Sequence, residues 1–215
     1  MRLTLVLIVP LLLLSGCGGG DGDTTESVAT GDEECTSVDA PEARGPEQRE
    51  APSEPLDPSK TYTLTFDTSC GSFTTTLDPE LAPKTTASLV ALATAGYFDD
   101  TIFHRVVPGF VIQGGDPTQS GAGGPGYSTV DVPPSDAAYT KGVVAMAKSG
   151  AEAPGTSGSQ FFVVTGEDAG LPPEYAVVGE VTEGMDTVLR IDALGVGDGP
   201  PSQPVVVSSV TVGES

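Results

Sequence analysis

Of 215 residues, thirty are Asp or Glu and nine are Lys or Arg, so the chain carries a formal net charge of −21. Phosphate recognition rests on clusters of Lys and Arg, and their scarcity argues against a nucleic-acid partner. One histidine and three cysteines are too few for the usual metal centres, so neither a metal nor a cofactor is expected. Tryptophan and asparagine are both absent.

At the N-terminus Arg2 precedes an apolar run from Leu3 to Leu14, too short to span a hydrocarbon layer of ~30 Å but suited to a signal segment. The following Leu14-Ser15-Gly16-Cys17 resembles the lipobox of bacterial lipoproteins. It implies removal of residues 1–16, lipidation at Cys17 and an extracytoplasmic domain anchored to the bacterial cell membrane; the alternative is a secreted protein cut elsewhere, or an uncleaved anchor. Residues 18–60 carry twelve acidic and three basic residues and almost no large apolar side chains. Such a segment buries too little surface to offset its ordering entropy, so residues 17–60 are expected to be a lipidated cysteine and a disordered spacer, on the order of 35 to 40 Å end to end. With Cys17 assigned to lipid, Cys35 and Cys70 remain in a compartment that permits disulfides. A bridge between them is one reading; two free thiols are the other.

Residues 61–215 form one expected domain, of a size that supports a single core. Thr61–Phe66 alternates polar and apolar, and Ser72–Leu77 resumes after Ser69-Cys70-Gly71, which predicts a hairpin. Asp78–Pro83 leads into a helix from Lys84 to Ala95, with Ala87, Val90, Ala91 and Ala95 on one face, Leu89 and Leu92 beside it, and Gly96 as its stop. Phe103–Asp116 reads as strand, Pro108-Gly109 turn and strand, and Asp116–Pro134 as a long loop. Within that loop Gly121–Gly126 matches the GxGxxG pattern, but Pro125 and the residues after it deny the helix that dinucleotide binding needs. Gly142–Ala147, Gln160–Val164 and Ala176–Val181 are apolar on both faces or nearly so, as strands of a well-covered sheet are. Asp186–Ile191 predicts a second helix and Val205–Val212 a last strand. About eight strands and two helices without βα alternation predict an antiparallel barrel with helices at its ends.

The chemistry is concentrated in Phe103–Asp116. His104 has no GxSxG elbow to serve, since the order around Ser157 is Gly155-Thr156-Ser157-Gly158-Ser159, and a lone histidine beside Phe103 reads more naturally as a hydrogen-bonded core residue. In a strand Phe103 and Arg105 would face one way and His104 and Val106 the other, while Val111 and Gln113 share a parity. Arg105 and Gln113 therefore meet if their strands pair, and Phe162, two after Gln160, can floor the same surface. Taken singly, Phe110 and Phe162 read as core and Arg105 as a surface charge.

The fourteen residues Phe103–Asp116, with Gly142–Ala147 and Gly158–Phe162, resemble the signature blocks of the cyclophilins, in family order and across about Thr61 to Val212. The resemblance implies a mainly β fold, an eight-stranded antiparallel closed barrel capped by two helices, and peptidyl-prolyl cis-trans isomerase activity toward Pro-containing peptides and unfolded extracytoplasmic proteins. It implies catalytic roles for Arg105, Phe110 and Gln113, and substrate binding by Val111, Ala147, Lys148, Gln160, Phe162, Leu171 and Tyr175. Departures from the family pattern are Val111 where methionine is common, Lys148 where many members have asparagine, Tyr175 where histidine is common, and Gly170 where many carry the tryptophan that helps bind cyclosporin. Weak binding of that drug and a monomeric state are expected. Retention of Arg105 favours an active folding enzyme over a module that only binds Pro-containing segments.

Overall fold

The computed structural model describes residues 34–215; the expected signal segment, Cys17 and residues 18–33 of the expected spacer lie outside them. The hairpin forms as predicted from β1 (Tyr62–Thr68) and β2 (Gly71–Leu77), with Phe66 opposite Phe73 in register and their rings stacked at 4.7 Å. Helix α1 (Pro83–Thr94) opens on Pro83, where the missing N–H costs nothing. After it come β3 (Thr101–Ile102), β4 (Arg105–Val107), β5 (Val111–Gly114), β6 (Thr129–Val130), β7 (Val143–Met146), β8 (Thr156–Ser157), β9 (Phe161–Val164), β10 (Val177–Glu183), α2 (Met185–Asp192) and β11 (Val206–Glu214).

Nine strands make one antiparallel sheet in the order β3-β11-β1-β2-β10-β7-β9-β5-β4, and β6 pairs with β8 apart from it. The end strands β3 and β4 are separated by only Phe103 and His104 in the chain, so the sheet must curl until its edges are neighbours. This corrects the expected eight-stranded closed barrel: the large sheet has nine strands, and no β3–β4 pairing closes it. The link does not turn back as a hairpin, because Phe103 is engaged elsewhere: its N–H donates to the Val205 carbonyl at 3.0 Å.

Strand parity assigns the two faces. Inside the curl lies a core that includes Phe66, Phe73, Phe103, Ile112, Val144, Met146, Phe161 and Val163. The alternate residues Val111, Ala145, Phe162 and Val164 form a second buried cluster with Tyr139 on the outer face. Both faces of β7 and β9 are therefore covered, which is why these strands read as apolar runs. The parity expected for residues 103–106 fails at one point. Phe103 and Val106 both enter the inner core, because Phe103 and His104 belong to the link and not to a strand.

Helix α1 buries Ala87, Leu89 and Leu92 of its predicted face but is turned away from the rest of it. Leu89, Leu92 and Ala93 are buried together with Thr85, Thr86 and Ser88, whereas Ala91 and Ala95 are exposed. The loop after β5 covers the polar side and satisfies it: Asp131 accepts from the Thr85 N–H and hydroxyl, each at 2.7 Å, and Ser88 Oγ lies 2.8 Å from the Tyr127 hydroxyl. Buried hydroxyls are tolerated when hydrogen-bonded, so apolar periodicity alone misjudged the face.

The expected spacer is not free along its second half. Residues 34–60 contain no helix or strand, yet Cys35 and Cys70 are joined by a disulfide. Main-chain bonds run from Thr36 to Ser69, Arg44 to Pro117 and Arg49 to Pro125, at 2.7, 2.9 and 2.7 Å. Point attachments order a segment whose composition alone could not.

Candidate active site

The site is built on the outer face of β4, β5, β9 and β7. Antiparallel register sets Arg105 opposite Gln113, Gln113 opposite Phe162 and Phe162 opposite Ala145. A row of four outward side chains thus crosses four strands. Nine of the residues expected to form the pocket, Arg105, Phe110, Val111, Gln113, Ala147, Lys148, Phe162, Leu171 and Tyr175, line one cavity of about 300 Å³. The tenth, Gln160, lines an adjoining cavity of about 480 Å³, to which Gln113, Ala147 and Lys148 also contribute.

The apolar end is rigid. Tyr139, 1 % exposed, donates its hydroxyl to the Tyr175 carbonyl at 2.7 Å and accepts from the Tyr175 N–H at 3.0 Å. Burial raises the Tyr139 pKa, which keeps the hydroxyl a donor. The Tyr175 ring meets Phe162 edge-on at 5.7 Å. Phe110 hangs from the Pro108-Gly109 turn, which is fixed from behind by Asp192 at the end of α2: its carboxylate accepts from the Gly109 N–H at 3.1 Å and from the Thr165 hydroxyl at 2.7 Å.

At the polar end Arg105 is held from three directions. Its Nε and NH2 groups donate to the two carboxylate oxygens of Asp198 at 2.5 and 3.0 Å, and NH1 donates to Gln113 Oε1 at 3.2 Å. A guanidinium has more N–H groups than these three bonds use, so donors remain for a ligand. The Arg105 hydrogen bond holds the Asp198 carboxyl below its ordinary range. Gln113 passes the arrangement on by donating to Gln160 Oε1 at 3.0 Å, and Gln160 donates to the Gly123 carbonyl at 3.0 Å.

Asp116 organises the glycine-rich loop beneath. It accepts from the Thr118 N–H and hydroxyl and from the N–H groups of Gly121 and Gly123, at 2.7 to 3.0 Å. Burial works against its carboxylate, but these bonds outweigh burial and hold the pKa below the ordinary value. At Gly123 a Cβ would stand 2.1 Å from Asp116 Oδ1, so only glycine fits. The GxGxxG stretch is accordingly a loop tied to a carboxylate, with no helix. His104 lies beside it, its pKa lowered by burial and its Nδ1 buried without a hydrogen-bond partner among the described residues, which suits a neutral structural imidazole. Among the described residues no cluster of His, Cys, Asp or Glu is placed to hold a metal.

The cyclophilin-type peptidyl-prolyl cis-trans isomerase family model matches residues 63–212. The chain belongs to the cyclophilins. It is 37% identical to the probable peptidyl-prolyl cis-trans isomerase A of Mycobacterium leprae, over 70% of this chain and 91% of that one. It is 42% identical to the isomerase-like protein 1 of Emericella nidulans, over 60% and 80% of the two chains. A crystal structure of a Cryptosporidium parvum cyclophilin matches with a TM-score of 0.65 and 30% identity, over 71% of this chain and 98% of that one. That cyclophilin was also solved in the presence of the dipeptide Ala-Pro. The chain is thus a cyclophilin-type peptidyl-prolyl cis-trans isomerase, and residues 34–60 precede the part of it that matches the family.

Two features of this cyclophilin's site escaped the sequence. Asp198 sits in Gly197-Asp198-Gly199-Pro200, which signals only a turn, and nothing local tells that it clamps an arginine 93 positions earlier. Lys148 reaches across the pocket rim to Glu174 at 3.0 Å, with its Nζ 5.3 Å from the Tyr175 ring centre. Its own place was legible, its partners were not.

Proposed function

We propose that this cyclophilin accelerates rotation about X-Pro bonds in extracytoplasmic proteins, with Arg105 stabilising the twisted amide. Resonance sets the uncatalysed barrier at ~18 to 20 kcal/mol. When the C–N bond twists, resonance is lost and the proline nitrogen regains a lone pair. A guanidinium N–H aimed at that nitrogen binds the twisted form more strongly than either planar form, and such differential binding is what lowers a barrier. The supporting observation is the cavity itself: Arg105, held by Asp198 and Gln113, stands at the rim of an apolar pocket floored by Phe110, Val111 and Phe162. In this scheme the pocket grips the proline ring, Gln113 and the Ala147 edge hold the chain, and no proton is transferred.

A protease-coupled assay on an Ala-Pro peptide tests the mechanism. Removing one preorganised donor typically costs ~10² to 10³ in rate, so Arg105→Ala should lose kcat/KM on that scale with its fold intact. Equal rates would leave a module that only binds. The extracytoplasmic setting rests on the lipobox resemblance at Cys17; incorporation of labelled fatty acid, abolished in Cys17→Ser, is its test. For cyclosporin we propose weak binding, because Gly170 leaves open space where an aromatic side chain would otherwise stand. Sedimentation at micromolar concentration tests the monomeric state.

A further inference from the structure

The segment before the family match is packed against the glycine-rich loop beside the site. Arg44 donates to the Tyr97 carbonyl, and the guanidinium carbons of Arg44 and Arg49 each lie 5.6 Å from the Tyr97 ring centre. Arg49 is paired with Glu47 at 2.7 Å, and Gln119 donates to the Pro41 carbonyl at 2.8 Å. The fit is close at Gly126, where a Cβ would stand 2.9 Å from Gln48 Cα. This strap forms one wall of a cavity of about 700 Å³ with Arg44, Pro46, Glu47 and Gln48, and the glycine-rich loop and Glu152 form the other.

That cavity neighbours the catalytic one through a third. It shares Ala122, Gly123, Glu152 and Gly158 with the 480 Å³ cavity, which in turn shares Gln113, Ala147 and Lys148 with the proline pocket. The three cavities therefore succeed one another from Arg105 past Gln160 to the strap. The far end presents a glycine-rich loop, charges of both signs and the ring of Tyr127. The loop and the paired charges suit the polar backbone of an extended chain, with Tyr127 beside it, and an extended strand advances ~3.3 Å per residue along such a wall.

We propose that the strap is an added subsite of this enzyme, which holds one flank of an extended client polypeptide while its X-Pro bond sits at Arg105. The occupant is a stretch of unfolded chain, recognised through its backbone. The Cys35–Cys70 disulfide and the two arginines on Tyr97 keep the wall in place. The inference rests on the X-Pro bond being held at Arg105; turnover of a short peptide, lost in Arg105→Ala, tests that reading separately.

The experiment compares, by exchange NMR with the full chain, a blocked tetrapeptide containing one Ala-Pro bond with longer peptides that extend the same unit on either flank with Gly, Ser and Thr. The wild type should turn over one of the extended peptides with a kcat/KM about threefold to tenfold above the tetrapeptide, mainly through KM, the scale of a few net hydrogen bonds. Arg44→Ala/Arg49→Ala should reduce that ratio toward one, and so should Cys35→Ser/Cys70→Ser. In the unmodified protein the amide signals of Gln48 and Gly126 should shift with that extended peptide and not with the tetrapeptide, a readout that needs no variant to fold. A ratio near one in the wild type, a ratio unchanged in both variants, or silent Gln48 and Gly126 signals would overturn the subsite.

Discussion

The candidate pocket and the strap line neighbouring cavities but are held by opposite means. Arg105, Val111, Gln113 and Phe162 stand on β4, β5 and β9, where register sets each position and a core backs the other face, and the remaining pocket residues stand on the connections beside these strands. The strap has no ladder at all and is fixed by one disulfide, a few main-chain bonds and two arginines on a tyrosine. A ladder fails cooperatively and a stapled segment peels, so perturbing one should leave the other recognisable.

The largest effect is expected from the core. Phe161 is 3 % exposed and its ring lies 5.1 to 6.1 Å from Phe66, Phe98 and Phe103. Phe161→Ala should cost about 3 to 5 kcal/mol, read from denaturant unfolding, and should abolish turnover at temperatures the wild type tolerates. Because neighbouring Phe162 is the pocket floor, this variant couples stability to function through one strand. Retention of full stability would show that the two faces are not welded together.

The disulfide comes next. Closing 35 residues of chain is worth roughly 3 to 4 kcal/mol in the chain-entropy model, an upper value here, because without the bridge the strap can also peel in the folded state and regain entropy there. Cys35→Ser/Cys70→Ser should lower the midpoint modestly and deprotect amides in residues 34–49 to hydrogen exchange, while those of β1, β2 and β9 keep their protection. Uniform deprotection would mean that strap and sheet are one cooperative unit.

The contrast also explains which parts were legible. Parity and the FHRVV…GFVIQGGD block suffice to bring Arg105, Gln113 and Phe162 together, because strands repeat every two residues and the hairpin turn fixes the register. The α1 face was misjudged, since Thr85 and Ser88 are buried by partners at Asp131 and Tyr127, some 40 positions away. Two-residue strands such as β3, β6 and β8 carry no periodicity to detect. The strap was hidden for a related reason: its composition describes a chain that cannot order itself, and its order comes from contacts to Ser69, Tyr97, Pro117 and Pro125. Asp198 is the same case inside the site.

Asp198 gives a smaller, more local test. Its side chain is 67% exposed, and exposed ion pairs contribute little to stability, ~0 to 1 kcal/mol. Its effect should therefore be on orientation: Asp198→Ala frees two of the three bonds that hold Arg105. We expect kcat/KM to fall about threefold to tenfold with kcat taking most of it, on the scale of one or two hydrogen bonds to charged groups, and Asp198→Asn to recover part through its remaining acceptor. An unfolding midpoint that moved as much as kcat would reassign the residue to structure.

The smallest effect is on pH. Burial lowers the His104 pKa in the folded chain, outweighing Asp116, whose charge raises it, while Arg105 lowers it further. Unfolded, the imidazole returns to about 6.5, so below that value the unfolded chain binds a proton that the folded chain resists, and stability falls as pH drops. The contribution is complete above about 6.5 and is lost through the window down to the depressed folded value. Asp116 behaves differently: its carboxyl is depressed, so its contribution lasts until pH falls below about 3.9. Between pH ~7 and ~5 the loss therefore traces to His104, and charging it would leave a donor at Nδ1 with no partner among the described residues. His104→Gln should flatten the midpoint-against-pH curve over that range. Across the same range kcat should stay level wherever the protein is folded, because a guanidinium does not titrate there. A kcat that declined along the His104 curve in folded protein would tie the imidazole to the chemistry and break the separation of roles between two adjacent residues.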